Sequence, residues 1–474
     1  MRRYKRWRTF LIGLAVMSML LASCAPQVIL KTVVVTRVVT EIVEIPSAPE
    51  VKEVIRTVVV TPTPAPPQKK LEIFHWWTSP EESKAAEAMF AAFRAENPDI
   101  EIVENPGARG DSADPRLVLQ ARFTAGLPPD TFQMLNGAEL KNAADDGILQ
   151  PLDDLYAGLG YAEAIPGPLL NSVSVDGHPY AVPLNMHIQN VLYYNLRLFN
   201  ELKLTPPTSY AELLAACKTI SATKPDMSCM SLGSKDKWGI VFIFDSLLLD
   251  KGGPEYYVRL FKGEIDVATD ANYKAALENL QRLIPYINED HSNLTWDQAV
   301  AQVGSGKSAI TIMGSWAIGN FIKGSKWQPG LDFGATTFPQ KPERILLFHS
   351  DAYGMTAKAP NPDEATEWLK ALTSSELQIP TDVIQGGLFA RTDIDPAELP
   401  DPIRQEMQGF IRENPGRLIL DEYGSILPMS AQAVYWDIIA DFLVKPDVNE
   451  AIQDTANMMA TYNVKEASAW YQWP

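Results

Sequence analysis

Apolar and polar positions alternate differently along successive stretches of the chain. Phe10–Leu21 (FLIGLAVMSMLL) is a short unbroken apolar run. From Ala25 to Lys70 valine, threonine and proline dominate, the string Thr32-Val33-Val34-Val35-Thr36 returns as Thr57-Val58-Val59-Val60-Thr61, and no aromatic residue occurs. Beyond it the pattern becomes that of alternating strands and helices. Leu71–Trp77 reads as a buried strand and Thr78-Ser79-Pro80 as a turn. A helix follows over about Glu81–Asn97, where Ala85, Ala86, Met89, Phe90 and Phe93 recur at helical spacing. Ile100–Val103 and Asp130–Met134 read as strands, with Asp114–Thr124 a helix between them. The same grammar returns later. Pro206–Glu212 opens a helix with Ser209 and Glu212 spaced as a capping box. Trp296–Val303 reads as a helix ending at Gly304, and Ala309–Met313 as a buried strand running into Gly314-Ser315-Trp316.

Strands alternating with helices predict βαβ units on a largely parallel sheet, hence an α/β fold. Ligands on such sheets lie at the carboxyl ends of the strands, here just after Phe74 and just after Phe132. Two lobes of this kind, with Trp76, Trp77 and Trp316 at facing strand ends, make a cleft.

The first run changes character when its flanks are included. Arg2, Arg3, Lys5, Arg6 and Arg8 precede it, no acid does, and it is too short to span a bilayer as a helix. Residues 1–23 therefore read as an export signal. Leu21-Ala22-Ser23-Cys24 resembles the lipobox of bacterial lipoproteins, which implies acylation of Cys24 as the mature N-terminus and a membrane anchor held by several acyl chains. The alternative is an ordinary secretory peptide with an incidental cysteine. Residues 24–70 end in Pro62-Thr63-Pro64-Ala65-Pro66-Pro67 and read as an extended tether, with strand pairing by the valine runs as the other reading. The expected location is the outer face of the cell membrane, extracellular or periplasmic.

Length and charge narrow the rest. At about 150 residues per domain, 474 residues make two or three domains. The net charge is -17, and because the leader and tether are basic, residues 71–474 carry -24. Such a field repels nucleic acid and anionic surfaces and favours neutral ligands over anionic ones. Gly304-Ser305-Gly306-Lys307-Ser308 lacks the first glycine of a phosphate-binding loop and precedes a strand instead of following one. The five histidines show no zinc spacing, no cysteines are spaced C-x-x-C, and Asn293-Leu294-Thr295 matches a glycosylation acceptor only by accident in a bacterial lipoprotein. Neither metal nor cofactor is expected. Cys217 and Cys229 form an even pair in an exported chain, which predicts one disulfide; two buried thiols are the alternative.

Taken in order from about residue 71 to 445, several strings carry a family resemblance: Trp76-Trp77-Thr78-Ser79, Pro129-Asp130-Thr131-Phe132-Gln133, Tyr180-Ala181-Val182-Pro183-Leu184-Asn185-Met186-His187, Pro206-Pro207-Thr208-Ser209, Gly306-Lys307-Ser308-Ala309 and Met313-Gly314-Ser315-Trp316. Together they resemble extracellular solute-binding proteins of carbohydrate ABC transporters, in particular the glucose, galactose and mannose binders. The resemblance implies a periplasmic-binding-protein-like fold of two α/β lobes, 71–183 plus 349–386 and 184–348 plus 387–474, joined by three crossovers. It implies a monomer that closes on one sugar by hinge motion and delivers it to a permease, without catalysis.

The residue chemistry agrees. A pyranose offers an apolar face and a rim of hydroxyls, so its pocket needs aromatic plates and a few planar polar groups. Trp76, Trp77, Trp238 and Trp316 are candidate plates, and Glu82, Gln133, Asn185, His187 and Asp351 candidate rim contacts, the two carboxylates accepting charge-assisted bonds. By resemblance, Trp76, Trp77, Glu82, Gln133, Trp316 and Asp351 stand at sugar contacts. Three positions depart from the glucose binders. Leu135, with Asn136 beside it, replaces a histidine, Gln385 replaces a lysine, and Tyr423 replaces a later histidine. A different monosaccharide, a disaccharide or another polyol therefore remains open. Each candidate also has a plainer role: tryptophans pack lobes, Glu82 suits a helix N-terminus, Asp351 caps a turn and His187 supports a hinge. The competing functions are a surface-anchored carbohydrate-active enzyme working through Glu82 and Asp351, and a sugar sensor or adhesin.

Overall fold

The computed structural model describes residues 69–78, 80–107, 115–423 and 426–473. The export leader, Cys24 and the valine-rich segment lie outside the described residues.

The first sheet has the strand order Ile100–Pro106, Lys69–His75, Thr131–Leu135, Asp351–Met355, Ala181–Pro183. Its first three strands are parallel, and Asp351–Met355 runs antiparallel to both neighbours. The Pro80–Glu96 helix covers it, burying Ala85, Ala86, Met89, Phe90 and Phe93. The opening strand begins two residues before its expected start at Leu71 and stops at His75, so the tryptophan pair follows the strand instead of finishing it. The earlier start has a cause: the ladder continues through Lys69 opposite Ile100, and Lys69 and Lys70 reach Asp99 and Glu101 at 3.0 and 3.8 Å.

The second sheet runs Phe333–Thr337, Val191–Asn195, Ser308–Met313, Ser228–Met230. Here the Tyr210–Thr223 helix is tied to the Ser228–Met230 strand by a Cys217–Cys229 disulfide in the core. The capping box expected at Ser209 is displaced. Glu212 accepts from the N–H and hydroxyl of Thr208 at 2.8 and 2.7 Å, because Thr208 offers two donors, and the Ser209 side chain caps nothing. A box of that type opens the Trp296–Gly304 helix, where Gln298 Oε1 accepts from the Thr295 N–H at 3.0 Å.

These are the two α/β lobes. A third sheet, Leu388–Phe389, Asn185–Ile188, Leu346–His349, Leu418–Leu420, takes up the chain as it leaves the first. Ala181–Pro183 passes through Leu184 alone into Asn185–Ile188, and Leu346–His349 passes through Ser350 alone into Asp351–Met355. A third passage runs from the Ser375–Gln385 helix, which packs on Pro80–Glu96, into Leu388–Phe389. The long Trp238–Phe261 helix is apolar around nearly its whole circumference through Leu249, and breaks at Gly253, whose φ of 76 is left-handed.

Candidate functional site

Strand ends, crossover strands and the start of the long helix surround one cavity of about 510 Å³. Nine of the twelve expected ligand contacts line it: Trp76, Trp77, Glu82, His187, Trp238, Trp316, Asp351, Gln385 and Tyr423.

Gln133, Asn136 and Asn185, also expected as sugar contacts, do not line it. All three are fully buried and spend their amides on the frame behind the wall. Gln133 donates to Asp351 Oδ1 at 2.7 Å and accepts the Trp76 N–H at 3.0 Å, holding a carboxylate and a tryptophan with one side chain. Asn185 Oδ1 accepts the Asp351 N–H at 3.1 Å. Asn136 accepts the Ser350 N–H at 2.9 Å and donates to Ser172 at 2.7 Å. Their residue type suits a sugar, but their amides are taken up by neighbouring backbone and side-chain groups. Gln133 stands opposite Tyr353, and Leu135, one of the departures noted above, stands opposite Asp351 and reaches the wall.

Asp351 is the polar centre of the wall. Its Oδ2 lies 3.4 Å from His187 Nε2, and the Gln385 amide nitrogen lies 3.1 Å from that same ring nitrogen. Burial favours the neutral acid, yet the hydrogen bonds from His187 and Gln133 help to outweigh it and hold Asp351 below the usual carboxylate range. For His187 burial is the strongest influence; it lowers the ring against the opposing pull of Asp351 and keeps it neutral. The wall thus presents a carboxylate acceptor beside neutral groups able to donate or accept, a set that suits hydroxyls.

Trp316 is the apolar centre. A side chain at Gly314 would bring its Cβ within 2.1 Å of the indole, so glycine there lets the ring fold back over its own chain. His187 meets that ring edge-on at 5.3 Å, with Trp238 at 6.3 Å and Trp296 perpendicular at 6.4 Å. Tyr423 stacks on Trp436 at 5.4 Å and lies 5.2 Å from His349.

Sequence reasoning did not place Trp296, Asp297, Asn320, Lys323, His349 and Ile384 on the wall. His349, two residues from Asp351 on a crossover, carried a signal that proximity alone offered. Asn320 and Lys323 sit in a π-helical turn, Asn320–Gly324, that no periodicity announces. Among the described residues no group of three or more His, Cys, Asp or Glu side chains is arranged to hold a metal, and no helix is long and apolar enough to cross a membrane.

Residues 77–379 match a family described as bacterial extracellular solute-binding protein. An uncharacterised ABC transporter extracellular-binding protein of Pyrococcus horikoshii is 33% identical over 406 residues, 84% of this chain and 90% of that one. A probable sugar-binding periplasmic protein of Brucella melitensis is 31% identical over 332 residues, 69% of this chain and 76% of that one. Among solved structures, a chitin oligosaccharide binding protein shares the fold with a TM-score of 0.73 at 21% identity, over 83% of this chain and 98% of its own.

Proposed function

The chain belongs to the bacterial extracellular solute-binding protein family, and we propose that it is the sugar receptor of a carbohydrate ABC importer, taking a neutral mono- or small oligosaccharide into the cavity around Trp316 and Asp351. One observation carries this reading: a buried carboxylate, a neutral histidine and a glutamine amide converge beside crossed indole rings on a single wall. The arrangement matches a pyranose, whose apolar face stacks on indole and whose adjacent hydroxyls donate to one carboxylate.

In this mechanism Trp76, Trp77, Trp238, Trp316 and Tyr423 supply the plates and Glu82, Asp351, His187 and Gln385 the rim. Gln133, Asn136 and Asn185 keep Asp351 and Trp76 in place before the ligand arrives, so less ordering cost falls on binding. Lobe 71–183 plus 349–386 closes on lobe 184–348 plus 387–474 about the three passages, and the closed form presents the sugar to the permease. Acylation at Cys24 and the segment up to the first strand tether a monomer to the outer face of the membrane.

The test is thermal unfolding of the full chain with glucose, galactose, xylose, maltose, raffinose and chitobiose. A receptor is stabilised by mass action, about 2.7 kcal/mol at a hundredfold excess over Kd. No shift with any sugar would sink the reading, and release of cleaved sugar during the assay would make the protein an enzyme.

A further inference from the structure

Behind the Tyr423 side of the cavity lie three acids that the binding reading does not use. Asp245 sits on the long helix, and Asp421 and Glu422 follow the Leu418–Leu420 strand; all three are fully buried. Tyr257 ties them together, its hydroxyl donating to Asp245 Oδ2 at 2.8 Å and accepting the Glu422 N–H at 3.2 Å. Gln189, just past the Asn185–Ile188 crossover strand, donates to the same Asp245 oxygen at 3.0 Å. The cluster is wired to the wall at three points. Asp421 Oδ2 lies 2.5 Å from His349 Nδ1, Glu422 accepts from the Trp436 indole at 3.1 Å and Trp436 backs Tyr423, and Asp245 shares its helix with Trp238.

Among the described residues the donors do not suffice for Asp245 and Glu422 both to be ionised. Among the described residues Asp245 Oδ1, Glu422 Oε2 and Gln189 Oε1 are buried acceptors with no donor. An unsatisfied buried acceptor costs about 1–3 kcal/mol, and more when it carries charge. A proton on one or more of the carboxyls removes charge and supplies the missing donor in one step. The other titratable groups facing the cluster are Tyr257, Tyr273 from the Ala271–Leu283 helix, Tyr435 from the Met429–Val444 helix, Tyr471, His349 and, beyond it, His187. None is a permanent cation. Burial first, then repulsion from Asp421 at Asp245 and from Asp245 and Asp421 at Glu422, accordingly pushes both carboxyls well above the carboxylate range.

We propose that Asp245, Asp421 and Glu422 form a buried proton-holding cluster through which the pH outside the cell sets how firmly Trp238, His349 and Tyr423 are held against the ligand. The proposal rests on the sugar-receptor reading and adds regulation to it. As pH rises the cluster charges, like charges push the long helix away from the 421–423 segment, and sugar is released.

The experiment compares the sugar affinity of the full chain at mildly acidic and at alkaline pH, using the panel above, for the wild type, Asp245→Asn and Glu422→Gln. The wild type should lose about tenfold, the equivalent of one unit of pKa shift, while either variant loses less than about twofold. Infrared spectra should show a protonated-carboxyl band at mildly acidic pH that weakens at alkaline pH. Affinity that stays flat in the wild type, a slope that a folded variant retains, or absence of the band would overturn the cluster's role and leave the receptor reading standing. No binding by any sugar at either pH removes both.

Discussion

Asp351 and Asp245 are both carboxyls buried beside the same cavity, and they are driven to opposite charge states. The Asp351 carboxylate receives Gln133 and His187, with the Asn185 amide nitrogen at 3.5 Å, and is held as an anion. Asp245 receives two donors on one oxygen, none on the other, and shares its surroundings with two more acids. Burial is common to both, so the number of donors and the sign of the neighbours decide the charge. The first arrangement is built to accept hydroxyls and the second to hold protons.

Breaking the first arrangement should have the largest effect. Asp351→Ala removes the charged acceptor and leaves three donors facing an apolar stub, so sugar affinity by calorimetry should fall by about a hundredfold, ~2.7 kcal/mol. Retention of affinity within threefold would mean the carboxylate is only a brace. Trp316→Ala should weaken binding by about tenfold or more, ~1.4 kcal/mol, and unchanged affinity would make that ring a packing residue. Gln133→Leu should act at one remove. It leaves the Trp76 N–H and Asp351 short of a partner, lowering stability by ~1–3 kcal/mol and affinity only severalfold. An affinity loss as large as that of Asp351→Ala would return Gln133 to the ligand.

The smallest effect sharpens the contrast through pH alone. Asp351 has a lowered folded-state pKa, so its contribution to stability is present above the unfolded value of about 3.9 and is lost as pH falls through the folded one. His187, also lowered, acts in the same direction below about pH 6.5. Asp245 and Glu422 are raised, so their contribution is present at low pH and is lost as pH rises through their folded values. The melting temperature should therefore form a dome against pH. In Asp245→Asn the alkaline limb should flatten and the acid limb stay; a variant that flattens both would show that the two sites are one network.

These contrasts also mark what was legible in the chain. The strand-to-helix grammar, the aromatics at strand ends and Asp351 beside a crossover are local signals, and they lie where local rules put them. Gln133 stands in a stretch that reads as a strand and Asn185 in a family-like string, but nothing local announces that both side chains are taken up within the frame. What takes up a buried amide depends on which strand is paired beside it, and the Asp351 carboxylate that takes up the Gln133 amide is 218 residues away in sequence. The acid cluster was illegible for a similar reason. Asp245 stands out in the apolar run Ile240–Leu249, but nothing nearby announces that Asp421 and Glu422 arrive beside it.

The crossover strands Asn185–Ile188 and Leu346–His349 are not two independent ropes. They pair with each other, His349 opposite His187 and Phe348 opposite Ile188, and further strands flank them on both sides. A ribbon stitched in this way twists more readily than it slides, as a torsion bar does. In the proposed closure the lobes would share a single mechanical coordinate, and one spectroscopic ruler across the cleft would follow the whole stroke from open to shut.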